Sequence, residues 1–127
     1  MPHRGSCAAP TTQMRTIIAG SRSARASDVL EGIALAIEAG IKPTVIISGA
    51  ARGADTHEAY AHDHGIKLEK RPADWIKHGR RAGHIRNAEM ANCAEALIAI
   101  WDGISPGTRG MIALAKRKRL KIYVHEF

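Results

Sequence analysis

Residues 44–65 read TVIISGAARGADTHEAYAHDHG. A short β-branched run bounded by turn residues predicts a strand covered on both faces. Behind it, Asp55 and Glu58 stand at capping-box spacing, which predicts a helix running to about Gly65. Between strand and helix lies GAARGAD, residues 49–55, a loop almost cleared of side chains. A plain turn needs one glycine. This loop has Gly49 and Gly53 with Ala50, Ala51 and Ala54 around a single arginine. Gly49 lets the backbone turn out of the strand. Gly53 and Ala54 fall where the helix begins, with free backbone N–H groups and the positive end of the helix dipole. The loop suits a phosphate. The same spacing also suits a tight strand-to-helix turn, and a lone glycine-rich loop does not decide between the two.

The alternation continues on both sides. Residues 15–20, RTIIAG, predict a first strand, and Met14 directly before it is a second candidate translation start. Residues 1–13 have no periodicity and read as a flexible tail, leaving 14–127 as one domain. Asp28 with Glu31 predicts a capped helix, which Val29, Leu30, Ile33, Ala34 and Ile37 continue to Gly40. IKLEKR, residues 66–71, predicts a more polar third strand near a sheet edge. Residues 72–84, PADWIKHGRRAGH, predict a long polar loop, and IRNAEMANCA, 85–94, a helix. EALIAIW predicts strand four, DGISPGT a loop, RGMIALAKRKR a helix and LKIYVHEF the last strand. Strands alternating with helices imply parallel strands joined by right-handed crossovers. The expected fold is α/β: one Rossmann-like domain with a five-stranded, mainly parallel sheet of order 3-2-1-4-5 and helices on both faces. Its ligands should sit at the carboxyl ends of the strands, near the switch point between strands 1 and 4.

Three loops converge there: AGSRS after strand 1, GAARGAD after strand 2 and WDGISPGT after strand 4. Gly20, Ser21 and Arg22 place a hydroxyl and a guanidinium past strand 1, and arginine grips phosphate or carboxylate in two-pronged fashion. Gly107 and Thr108 open the last helix, where threonine serves as a cap or a phosphate contact. Arg80, Arg81, Arg86 and Asn87 cluster beside Trp75, which could stack on a base or plug the core. Arg86 and Asn87 fall in a predicted first turn, where arginine opposes the dipole unless an anion is present. HDH, residues 62–64, does not share a helix face and reads as a solvated helix end, so no metal site is expected. KRKRLK, residues 116–121, offsets a helix C-terminus.

The composition agrees. The chain has 127 residues, enough for one core. Its formal charge of +7 permits nucleic acid or small polyanions as partners. An aromatic content of 4% argues against a stacking platform for single strands. No apolar run reaches the ~18 residues of a membrane span. Cys7 and Cys93 have no metal-type spacing, so neither a disulfide framework nor structural zinc is expected, and a cytoplasmic location fits.

IIAGSR, ISGAARGAD, PADW…GRRAG…IRNAEM and ALIAIWDG.SPGTRGMI together resemble the SLOG superfamily, in its YspA-like branch of small bacterial and phage proteins. The resemblance spans about residues 15–125. It implies a Rossmann-like fold that binds nucleotides or NAD- and ADP-ribose-derived molecules, as a sensor, a sequestering protein or a processing enzyme, often as a homo-oligomer. By position it carries ligand roles to Gly20, Ser21 and Arg22, to Gly49, Ala50, Gly53, Ala54 and Asp55, and to Asp102, Gly107 and Thr108. Relatives of the LOG type release a base from a nucleoside monophosphate and carry a glutamate after their PGGxGT motif. This chain has Arg109, Gly110 and Met111 after SPGT, so that glutamate is absent. N-glycosidic cleavage would then fall to Asp102 or Asp55. The lead expectation is binding of a small phosphorylated nucleotide-type ligand without a further cofactor. The alternatives are a nucleotide N-glycosidase and nucleic-acid binding through the basic surface.

Overall fold

The computed structural model describes residues 13–49 and 54–127, Ala54 and Asp55 by backbone alone. The tail expected over residues 1–13 and the loop residues Ala50, Ala51, Arg52 and Gly53 therefore lie almost wholly outside the described residues, as does Cys7.

Five strands, β1 (Arg15–Gly20), β2 (Val45–Ser48), β3 (Lys67–Lys70), β4 (Ala96–Trp101) and β5 (Lys121–Glu126), form one sheet of order β3-β2-β1-β4-β5. Every neighbouring pair is parallel, so the sheet is wholly rather than mainly parallel. The inner strands are apolar in near-continuous runs because both faces are covered. Ile17, Ile47 and Leu97 face one side with Met90, Ala91, Met111 and Ala115. Ile18, Ile46 and Ile98 face the other with Val29, Ile33, Ala36 and Tyr60. The first face is roofed by α4 (Ala82–Asn92) and α5 (Pro106–Arg117), the second by α1 (Ala26–Glu38) and α2 (Ala54–Asp63). Fully buried Ile98 makes the scale clear: truncating such a side chain to alanine costs about 2–5 kcal/mol.

β3 takes the edge position its polar sequence predicts. The Arg15 guanidinium reaches across the sheet and pairs with both oxygens of Glu69, at 2.7 and 2.8 Å. That hydrogen-bonded pair holds the Glu69 carboxyl below its ordinary pKa. Gly32 lets α1 lie close on β4, since a Cβ there would overlap Ile100 Cδ1.

Three local expectations change. α1 starts at Ala26, and Asp28 accepts from the Arg25 N–H at 2.8 Å, so Asp28 is the third residue of the cap rather than its first. The long polar loop holds a one-turn helix, α3 (Trp75–His78), and a 3-10 turn over Gly79–Arg81. Asp74 nucleates α3 by accepting from the Lys77 N–H at 3.0 Å. As a result α4 begins at Ala82, and Arg86 and Asn87 sit in its second turn, not its first. α5 likewise begins three residues early, at Pro106, whose fixed φ suits the first helical position.

Candidate functional site

A crevice of about 720 Å³ opens at the carboxyl ends of β1 and β2, between the start of α5 and the body of α4. This is the edge the βα connectivity selects. Its floor is the strand ends Ile18–Ser21 and Ser48–Gly49, and its walls are built from side chains of α2, α3, α4 and α5. Of the residues singled out in the sequence, Gly20, Ser21, Arg22, Gly49, Trp75, Arg86, Asn87, Gly107 and Thr108 all line it.

Ser21 ties the crevice together. Its N–H continues the β1–β4 ladder to the Ile100 carbonyl at 2.9 Å. Its hydroxyl accepts from the Asp102 N–H at 3.2 Å and lies 3.3 Å from the Thr108 hydroxyl. Three chain segments distant in sequence thus meet on one buried oxygen. Thr108 is buried beside the start of α5 and does not serve as an N-cap; Ser105 holds that position.

Asp102 does not face the crevice. Its carboxylate accepts from the N–H groups of Ile104 and Ser105 at 3.0 and 2.7 Å and from the Ser105 hydroxyl at 2.5 Å. Ser23 adds a hydroxyl at 3.3 Å. These donors, the Ser105 hydroxyl first, pull its pKa well below the ordinary carboxylate range. The geometry makes Asp102 the organiser of the loop that leads into α5. Asp55, the other carboxylate considered for catalysis, has its side chain outside the described atoms.

Arg86 reaches from α4 across the crevice. Its Nη1 donates to the Gly49 carbonyl at 2.5 Å and its Nε to Asn87 Oδ1 at 2.8 Å. Burial lowers its pKa, the cost of desolvating a charge. Gly49 is needed here, because a Cβ would stand 2.5 Å from Arg86 Nη1. Arg22 lies exposed at the opposite wall. Arg80 and Arg81 are exposed on the 3-10 turn and do not line the crevice. Trp75 lines it while 61% exposed. It is a rim residue, not a core plug. Trp101 is committed elsewhere, donating to the Ser105 carbonyl at 3.1 Å with the Arg109 guanidinium over its ring.

His57 belongs to none of the three convergent loops, yet it joins the crevice. It is buried on α2, lines the crevice, and its Nδ1 lies 3.0 Å from the Ser48 hydroxyl at the end of β2. Desolvation lowers its pKa to about 4, so the ring is neutral at pH 7. Its signal was phase: Tyr60 and Ala61 are the buried face of α2, and stepping back one turn lands on His57.

Among the described lining residues Arg22 and Arg86 are the fixed charges, and no aspartate or glutamate joins them. The basic run from Lys116 lies at the far end of α5, exposed and away from the crevice. Among the described residues no cluster of metal-ligating side chains forms, and no helix is long and apolar enough to cross a membrane.

Fold and crevice together define a Rossmann-like α/β protein with a ligand-sized cleft at its switch point. The chain belongs to the YspA, cpYpsA-related SLOG family, whose model matches residues 14–78. That match includes the strand 1 and strand 2 loops. The chain is also similar to the Gene 61 protein of Mycobacterium phage D29, at 30% identity over 116 residues, covering 85% of this chain and 93% of the phage protein.

Proposed function

We propose that the crevice binds a small phosphorylated nucleotide-type ligand, as a sensing or sequestering site. The observation that carries this reading is the charge pattern: a cleft of about 720 Å³ whose described lining holds two arginines and no carboxylate. Such a volume suits a mononucleotide or a compact dinucleotide. In this reading the phosphate lies at the start of α5, on the N–H groups around Gly107 and near the Thr108 hydroxyl, with Arg22 and Arg86 balancing its charge. Trp75 offers an exposed ring at the rim for the base. Family membership supports a nucleotide-related ligand.

The test is a thermal-shift screen against nucleoside mono-, di- and triphosphates, NAD, ADP-ribose and cyclic nucleotides. Each stabilising compound is then recovered by chromatography after long incubation. A compound that raises the melting temperature and returns intact supports the reading. A compound returned as base and sugar phosphate replaces it with an N-glycosidase. No stabilisation by any of them sinks it.

A further inference from the structure

Ser48 and His57 form a pair with a direction. The pair is joined at Nδ1, and Ser48 is only 1% exposed. The serine is therefore poorly placed to meet a ligand and well placed to fix the imidazole. The other ring nitrogen, Nε2, has no partner among the described residues. No buried side-chain nitrogen or oxygen among them lacks a partner, so Nε2 keeps contact with solvent. His57 lines the crevice.

We propose that His57 is a ligand-contacting residue of the crevice, held by Ser48 through Nδ1 so that Nε2 meets an anionic oxygen of the ligand and takes up a proton when it binds. This rests on the reading of the crevice as an anion site. The proton comes from solvent, and no covalent bond changes. Without an anion beside it the charged ring is disfavoured: it is desolvated, and Arg22 and Arg86 share the crevice with no described carboxylate to offset them. A bound anion reverses that balance.

Of the charged groups on the elements packed against α2, Lys67 of β3 and Glu38 of α1 are exposed, and the others are engaged as follows. Glu69 of β3 pairs with Arg15, and Lys70 with Glu58 of α2 itself at 3.1 Å. Arg71, just past β3, lies 3.5 Å from Glu69. On α1, Asp28 caps the helix and Glu31 lies 3.8 Å from His125. β2 carries no charge. On α2, His62 and Asp63 are exposed and paired with each other. His64 stacks on Tyr60 and bonds the Tyr60 carbonyl.

The probes are AMP, ADP and ADP-ribose. ADP-ribose matters because its pyrophosphate diester has no ionisation between pH 5 and 7 in the usual sense of a terminal phosphate, whose second pKa is about 6. Calorimetry at pH 6 in two buffers of different ionisation heat counts the protons taken up. The expected result is net uptake, with affinity rising as pH falls from 7.5 to 5.5. His57→Gln should remove the uptake and weaken binding at pH 6 by about tenfold, the value of one lost hydrogen bond. Ser48→Ala should reduce the uptake, and Ser48→Thr, which keeps the hydroxyl, should restore it. NMR titration of the His57 ring in the wild-type chain gives an answer even if variants fold poorly: its pKa should rise on ligand binding. Binding without proton uptake and with an unmoved His57 titration overturns this inference alone. Where another compound of the thermal-shift screen binds in place of these three, the same calorimetry and His57 titration are read with it; failure of every compound in that screen overturns the crevice reading and this inference with it.

Discussion

The hydroxyls of Ser21 and Thr108 lie 3.3 Å apart, although 87 residues separate them in the chain. Ser21 also receives the Asp102 N–H, so one buried oxygen joins the end of β1, the end of β4 and the start of α5. Replacing it with alanine leaves that N–H and the threonine hydroxyl without their partner. Ser21→Ala should cost about 1–3 kcal/mol of stability, read as a lower midpoint in urea. It should also weaken nucleotide binding, because the α5 start loses its anchor.

Gly49→Ala tests the guanidinium across the crevice. The new methyl would sit 2.5 Å from Arg86 Nη1 and 2.9 Å from its Cζ. The flexible arginine can swing away, so the fold should lose little, while the cation leaves its place. Arg86→Lys should reproduce the loss of binding, since a single ammonium cannot serve both the Gly49 carbonyl and Asn87 in the same planar fork. Equal nucleotide affinity in either variant and the wild type would remove Arg86 from the site.

Acid should destabilise the fold through His57. Its pKa is about 4 in the folded chain against an ordinary 6.5. Between those values the unfolded chain binds a proton that the folded chain does not. Stability is therefore unaffected by this group above pH 6.5 and falls as pH drops toward 4, by about 3 kcal/mol in all. Urea melts across that range should show the slope, and His57→Gln should flatten it. Glu69, whose pKa is lowered, contributes stability above its unfolded pKa that is lost in more acid solution still.

Asp102→Asn separates loop organiser from catalyst. The amide keeps one acceptor oxygen but cannot satisfy the Ile104 and Ser105 N–H groups and two hydroxyls as the carboxylate does. A lower melting temperature is the expected result. Should a nucleotide prove to be hydrolysed, the rate per folded molecule should change little. A complete loss of turnover with an unchanged melting curve would make Asp102 catalytic.

The strand order and the crevice edge were legible because each βα unit announces itself. VIIS followed by glycine and a capped helix leaves few alternatives to a parallel sheet. Ser21, Arg22, Gly49, Gly107 and Thr108 followed from that topology. Arg80 and Arg81 could not be sorted from Arg86, since all three lie close in sequence and only the unforeseen α3 and 3-10 turn decide which reaches inward. The loop role of Asp102 was not legible because a carboxylate at a strand end looks the same in sequence whether it meets a ligand or its own loop. His57 was hidden by its neighbours: His62 and His64 draw the eye, yet the helical phase that buries Tyr60 belongs to His57.

The central position of β1 also sets the order in which this molecule can be assembled. β1 leaves the ribosome first, but its second edge waits for β4, where Thr16 pairs with Ala96. Ser21 and Gly49 are made well before Arg86, and Arg86 before Thr108. Such long-range closure is slow, and it comes late. A nascent chain that has not yet reached α5 has the strand floor and the α2, α3 and α4 residues of the crevice but lacks the wall that Pro106, Gly107, Thr108 and Met111 supply. The whole crevice therefore exists only once the chain through α5 has been made and packed.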